Sequence, residues 1–133
     1  RPYEFDADGI KRSYELSHRT YGLAYDGARY WSLDGLDGSL AAFDASGTIS
    51  ERIPVEVPDP YHLEWDGEQF WTVSWYTLRL YKVGTDGSAI AVMDPPLSSS
   101  SSIQSGLAMA GSQLWYAQRV SLERTRIYRL QPE

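Results

Sequence analysis

Three segments of the chain repeat one ten-residue pattern, and this repeat constrains the fold more than any other feature of the sequence. The copies are Gly22-Leu-Ala-Tyr-Asp-Gly-Ala-Arg-Tyr-Trp31, His62-Leu-Glu-Trp-Asp-Gly-Glu-Gln-Phe-Trp71 and Gly106-Leu-Ala-Met-Ala-Gly-Ser-Gln-Leu-Trp115. Their closing tryptophans lie 40 and then 44 residues apart. A period of this length is typical of arrays in which each structural unit buries its apolar face only by stacking on a neighbour.

Each copy has the pattern of a strand, a turn and the start of a second strand. In the first copy Leu23 and Tyr25 alternate with a small residue, Asp26-Gly27 suits a two-residue hairpin turn, and Tyr30-Trp31 begins the next strand. Further strands and turns follow. The predicted third strand, turn and fourth strand span 40–43, 44–47 and 49–55 in the first unit and 78–83, 84–87 and 89–93 in the second. Four short antiparallel strands per unit, with no helical period, predict the blades of an all-β β-propeller.

The ends of the chain are out of phase with the repeat. We expect a single domain over residues 1–133, divided into a partial blade at 1–20, full blades at 21–60 and 61–105, and a partial blade at 106–133. About three blades is fewer than the four to eight that close a ring. The sequence therefore predicts an incomplete ring.

An incomplete ring would leave apolar blade faces exposed, which leaves three interpretations. The chain associates with itself, for instance as a dimer that makes a six-bladed ring; it packs on another protein subunit; or it is part of a longer chain. We favour a homo-oligomer, and a dimer first. The compartment is undetermined, with a secreted or periplasmic location favoured over the cytoplasm.

Charge is distributed unevenly along the sequence. Residues 1–68 carry six Lys or Arg against fourteen Asp or Glu, whereas residues 69–133 carry six against four. A head-to-tail contact would place the acidic part against the arginines near the end of the chain, which are Arg119, Arg124, Arg126 and Arg129. The alternative is an ordinary solvated surface, because a segment count does not define a face.

Composition excludes several classes of function. The 133 residues are 42% hydrophobic and include no run long enough to cross a bilayer, so we expect one soluble domain without a membrane span. A net charge of −6 disfavours nucleic acid as a partner, since phosphates need neutralising. The absence of cysteine removes disulfides, thiol nucleophiles and thiolate metal sites.

The repeated phrase resembles one that occurs in the NHL, glutamine cyclotransferase and lactonase-like groups of propellers. It differs from the WD40 pattern, because Trp65-Asp66 lies in the turn after the first strand and the sequence has no Gly-His pair. The resemblance covers nearly the whole chain and implies a propeller architecture. It does not imply one activity, because these groups include enzymes, scaffolds and binding proteins, and no catalytic motif of any one group matches.

The two histidines are the first candidates for a chemical site. His18 and His62 fall just before or at the start of a first strand, where propellers present residues to one face of the channel. With Glu64 and Asp94, His62 could form a metal or acid/base site; the alternative is a surface or capping role. We predict no metal and no cofactor, because the Asp-Gly segments suit hairpin turns and do not have the ligand spacing of an EF-hand.

The adjacent aromatic residues Trp75 and Tyr76 are the second candidate. They fall at a predicted hairpin tip where the first copy has Gly35 and Leu36. Large aromatic side chains at a loop tip suit contact with a ligand or a protein, although packing against a neighbouring blade is the alternative.

Two classes of function follow from the sequence. The favoured class is a non-enzymatic binding and assembly module that self-associates or docks into a larger complex. The alternative is a fragment or subunit of a propeller enzyme of the lyase, cyclotransferase or lactonase type.

Overall fold

Thirteen β-strands and no helix make up the part of the protein that the computed structural model describes, namely residues 3–6, 8–13, 16, 19–94, 103–119, 121 and 123–130. The strands are β1 Tyr3–Asp6, β2 Gly9–Ser13, β3 Thr20–Tyr25, β4 Tyr30–Asp34, β5 Leu40–Phe43, β6 Ile49–Ile53, β7 Pro60–Trp65, β8 Phe70–Ser74, β9 Leu80–Val83, β10 Ala89–Met93, β11 Ile103–Ala110, β12 Gln113–Arg119 and β13 Thr125–Leu130. In these ranges no helix is long and apolar enough to span a bilayer.

The strands form antiparallel sheets that follow the sequence repeat. We call β3-β4-β5-β6 the first blade, β7-β8-β9-β10 the second and β11-β12-β13 the third, while β1 and β2 pair separately as a hairpin. Strand β7 contacts both β3 and β11, so the first strands of successive blades are neighbours and form an inner row. The prediction of four-stranded antiparallel units is confirmed for the two full copies, and none of the sheets is closed on itself.

Two hydrophobic clusters join the three blades. The first lies between the first and second blades, and there the Trp31 and Phe70 rings meet edge to face with centroids 5.3 Å apart. The second cluster includes Trp71 and Val73 of β8 together with Leu114 of β12. Because successive side chains on a strand point to opposite faces, β8 supplies Phe70 to one cluster and Trp71 to the other. The second blade is thus packed on both faces.

The repeated aspartate holds the loop between the first two strands of each full blade. The carboxylate of Asp26 accepts hydrogen bonds from the amides of Ala28 and Arg29, at 2.8 and 2.7 Å, and from the indole Nε1 of Trp31 at 2.7 Å. In the second blade Asp66 accepts the same three bonds, from Glu68, Gln69 and Trp71 at 2.9, 2.8 and 2.8 Å. One side chain therefore fixes both the loop and the tryptophan that faces the next blade.

This network corrects the expected hairpin geometry. Residues 26–29 form a four-residue loop between β3 and β4, closed by a hydrogen bond from the Asp26 amide to the Arg29 carbonyl at 3.1 Å. The prediction of a two-residue Asp-Gly turn was wrong, because the loop must curl around the carboxylate. Gly27 has a φ of 96°, the left-handed conformation that such a loop requires.

Strand boundaries differ from the predictions in two places. Strand β9 begins at Leu80 because Leu78 belongs to the preceding turn, where its amide donates to the Ser74 carbonyl at 3.0 Å. Strand β6 ends at Ile53, since Pro54 has no amide proton to continue the ladder. The serine run 98–102, between the second and third blades, lies outside the described residues.

We expect Asp66→Ala to lower the free energy of unfolding by about 2 kcal/mol, because it leaves the indole of Trp71 and two loop amides without their acceptor. Urea denaturation measures the effect. Asp86→Ala is the matched control, since its carboxylate lies in the exposed outer hairpin and accepts from the amide and hydroxyl of Ser88 rather than from an indole. Equal losses in the two variants would show that the tryptophan bond contributes nothing.

Candidate functional site

The inner strand of the second blade departs from the repeat at two positions. Where the first and third copies have Gly22 and Gly106, the second has His62. Two residues further on, the small alanines of the other copies are replaced by Glu64. The structure confirms that both residues lie on β7, in the row of inner strands, and both are half-buried. Two ionisable residues thus occupy positions where the neighbouring blades have glycine and alanine.

His62 adopts a backbone conformation that favours glycine. Its φ is 57°, and Gly22 at the equivalent place has a φ of 120°. The β7–β8 register shifts at this point, and the single hydroxyl proton of Thr72 has two acceptors, the carbonyls of Tyr61 and His62, at 3.0 and 2.8 Å. A histidine with positive φ costs of the order of 1 kcal/mol or more, and such strain is concentrated at functional sites.

Burial shifts the pKa values of the two residues toward each other. It lowers the pKa of His62 and raises the pKa of Glu64, although the backbone amide of Met109 partly offsets the latter by hydrogen bonding to the carboxylate. Opposite shifts of this kind bring the pKa values of an acid and a base closer together, as in a pair that exchanges protons. Each shift is also what burial alone produces in a purely structural residue.

The second predicted partner of His62, Asp94, lies elsewhere. Asp94 follows the outer strand β10 and forms an ion pair with Arg79 at 2.8 Å. His18 lies outside the described residues. Within the described ranges, no group of three or more His, Cys, Asp or Glu side chains is arranged to hold a metal ion.

A cleft of about 280 Å³ opens beside the start of β7, and its described lining consists of Tyr21, Asp59, Tyr61 and Trp75. We call it the aromatic cleft. The rings of Tyr61 and Trp75 meet at 73° with centroids 5.2 Å apart, so two of the walls are nearly perpendicular. Tyr76 projects from the same turn but does not line the cleft, and its side chain is 79% exposed. Of the two aromatic residues singled out in the sequence, the structure brings only Trp75 into this cleft.

The repeat itself builds the aromatic cleft. Tyr21 and Tyr61 each stand one residue before the repeated phrase, at the entry to adjacent inner strands. The turn residues are held alike in both blades: the amide of Gly35 donates to the Arg19 carbonyl at 2.6 Å, and that of Trp75 to the Asp59 carbonyl at 3.0 Å. The two tyrosines were missed as site residues, although the pair was visible as a one-residue extension of the repeat.

The outward face of the third blade exposes the repeat tryptophan. Trp31 and Trp71 are each 2% exposed, whereas Trp115 is 37% exposed. In the pairing of β12 with β13, Trp115 lies opposite Arg129 and Ala117 lies opposite Ile127. The side chain of Ile127 is 69% exposed. We call this surface, formed by Trp115, Ala117, Arg119, Ile127 and Arg129, the open face. The third copy also has Ala110 in place of the repeated aspartate, so Trp115 has no carboxylate equivalent to Asp66.

The four arginines that were expected to form one interface divide between two faces and a loop. Arg119 and Arg129 share the face of Trp115, because residues alternate along β12 and β13. Arg126 pairs with Gln118 on the opposite face, and Arg124 precedes β13. Their role at an interface stays a prediction.

Comparisons with known proteins define the class of fold. No protein-family model matches the chain, and no curated protein matches it either. Glutaminyl cyclase from Myxococcus xanthus is similar in structure, with a TM-score of 0.71 and 14% sequence identity over 92% of this chain and 61% of that chain. The chain thus spans about three fifths of that protein, and at this identity the similarity concerns the fold.

Two lyase structures are also similar. A streptogramin B lyase has a TM-score of 0.53 and 17% identity over 86% of this chain and 41% of that one. A catalytically inactive virginiamycin B lyase from Staphylococcus aureus, with quinupristin, has a TM-score of 0.52 and 15% identity over 86% and 42%. These propeller neighbours and the open array of antiparallel blades confirm the fold class: the chain is an incomplete β-propeller.

We expect His62→Gly to be more stable than His62→Ala by about 1 kcal/mol, because glycine adopts positive φ freely and alanine does not. Thermal and urea unfolding of both variants measure the difference. Glu64 provides a matched control, because its φ is not positive and the order of stability should be reversed there. Glu64→Ala should be more stable than Glu64→Gly. If alanine and glycine were equivalent at residue 62, the backbone there would be unstrained.

Proposed function

We propose that the chain is a propeller module that works by assembly, and that the open face of the third blade is the surface through which a second copy docks. The observation that carries this proposal is the exposure of Trp115, because the tryptophans at the same position of the other two blades are fully buried against a neighbouring blade. A blade of this kind gains stability chiefly by covering its apolar face.

The number of blades and the distribution of charge support a second copy of the chain as the partner. Two copies of about three blades together reach the number that closes a ring. Arg119 and Arg129 on the open face would meet an acidic surface favourably, and the first 68 residues carry six Lys or Arg against fourteen Asp or Glu. The core of the contact is apolar and aromatic, and the arginines would set its orientation.

A second function, as part of a propeller enzyme, is favoured by one specific observation. His62 and Glu64 replace small residues of the repeat on an inner strand, and burial moves their pKa values toward each other. The structural neighbours include a glutaminyl cyclase and streptogramin-type lyases. On this alternative, His62 and Glu64 exchange protons with a substrate bound near the row of inner strands.

The assembly proposal predicts a dimer in solution that Trp115→Glu dissociates. A buried carboxylate at the centre of the contact should raise the dissociation constant by about tenfold or more. Native mass spectrometry and sedimentation over a concentration series measure this. Trp75→Glu is the matched control, because Trp75 is also exposed but does not belong to the open face. The dimer of this variant should persist. A wild-type protein that stays monomeric and folded would contradict the proposal.

The enzyme alternative makes a separate prediction. If the chain has cyclotransferase, lyase or lactonase activity, Glu64→Gln should reduce its rate by about 100-fold or more while the fold is unchanged. The same change at Glu68, in the β7–β8 loop, is the control and should have no effect. Absence of turnover by the wild-type protein for all three substrate classes would remove this alternative.

A further inference from the structure

The aromatic cleft has the chemistry of a site for a positively charged ligand. Its described walls are the rings of Tyr21, Tyr61 and Trp75, and its only charged member is Asp59. Aromatic faces attract cations through their quadrupoles, most strongly where the site is partly desolvated. From this arrangement we propose that the cleft binds a small, free organic cation of the alkylated ammonium class.

The cleft is small and its aromatic walls are held in place. A volume of about 280 Å³ is near the lower end for ligand pockets, which suits a compact head group. The near-perpendicular rings of Tyr61 and Trp75 meet edge to face and form two adjoining walls of the cleft. Tyr61 also packs against the second hydrophobic cluster, so this wall is anchored in the core.

Two hydrogen bonds join the segments that form the cleft. The Trp75 amide donates to the carbonyl of Asp59 at 3.0 Å, and the buried hydroxyl of Ser74 donates to the carbonyl of Pro58 at 2.5 Å. These bonds tie the β8–β9 turn to the segment that leads into β7. A site whose walls are already positioned loses less entropy when a ligand binds.

Backbone strain is concentrated around the same site. Within the described ranges, the non-glycine residues with positive φ are Asp59, His62 and Leu78, at 49°, 57° and 57°. All three belong to the second blade or to the segment that enters it, and Leu78 stands where the first blade has Gly38. Strain of this kind persists where the surrounding structure imposes it, as at ligand sites.

Charge selects a cation over an anion. In the described part of the chain, the Asp59 carboxylate makes no ion pair and no side-chain hydrogen bond. Nearby Asp34 is paired with Arg52 at 2.9 Å, and the Arg19 guanidinium lies 3.5 Å from the hydroxyl of Tyr21 at the edge of the cleft. Arg19 is thus a positive charge at the edge of the cleft, whereas Asp59 belongs to its lining, so the Asp59 carboxylate can pair with a bound cation and would repel a bound anion.

Choline and its uncharged isostere 3,3-dimethylbutan-1-ol test the proposal, because the two differ in charge but scarcely in shape. Titration is followed by the indole N–H resonance of Trp75 and by calorimetry. We expect choline to bind about tenfold more tightly than the alcohol. Trp75→Ala and Asp59→Asn should each weaken choline binding by about five- to tenfold, and asparagine tolerates the positive φ of residue 59.

Tyr76→Ala is the matched control, since Tyr76 is next to Trp75 in the turn but does not line the cleft, and it should change the affinity less than twofold. Circular dichroism of each variant verifies the fold, and Trp75→Leu replaces Trp75→Ala if the alanine variant unfolds. Equal binding of choline and the alcohol, or no binding of choline at 100-fold molar excess, would overturn the proposal.

A further experiment distinguishes a free organic cation from the head group of a lipid as the ligand. Sedimentation of the protein with phosphatidylcholine vesicles, without binding of free choline, would also overturn the proposal. The cleft proposal does not rest on assembly, because the described lining contains no residue of the third blade. Trp115→Glu should therefore leave choline affinity unchanged, so the failure of one proposal does not imply the failure of the other.

Discussion

The packing of one repeated tryptophan on the next blade is the interaction on which the rest of this structure depends. Trp31 meets Phe70 across the first blade interface, and Trp71 belongs to the cluster between the second and third blades. In each case an aspartate five residues earlier holds the indole and its loop in one geometry. The same constraint distinguishes the open face, because Trp115 has the equivalent position in the third blade but is 37% exposed, with no described blade packed against it.

The second blade carries several departures from the repeat. Relative to the first blade it replaces three glycines with His62, Trp75 and Leu78, two of them at positive φ. Each strained residue costs free energy that packing on both faces of this blade offsets. Because the second blade packs on both faces, it can tolerate unfavourable local conformations.

Similarity of fold and identity of function are separate questions for this chain. Sequence identities of 14–17% to a glutaminyl cyclase and to lyases establish architecture. The fold does not define the function, so the two proposals concern particular surfaces instead, namely the aromatic cleft beside the second blade and the open face of the third.

The sequence by itself determined the blades. Alternating apolar residues, Asp-Gly loops and a 40-residue period are local features, so they predicted the four-stranded units and the candidate residues His62, Glu64 and Trp75 without any knowledge of long-range contacts. Loop length was mispredicted because it depends on where the Asp26 carboxylate finds its partners. The aromatic cleft was decided only by the tertiary structure, because stacking brings together Tyr21 and Trp75, which are far apart in the chain. So was the difference between Trp71 and Trp115: the residues are equivalent in the repeat, and burial depends on whether a neighbouring blade lies against them.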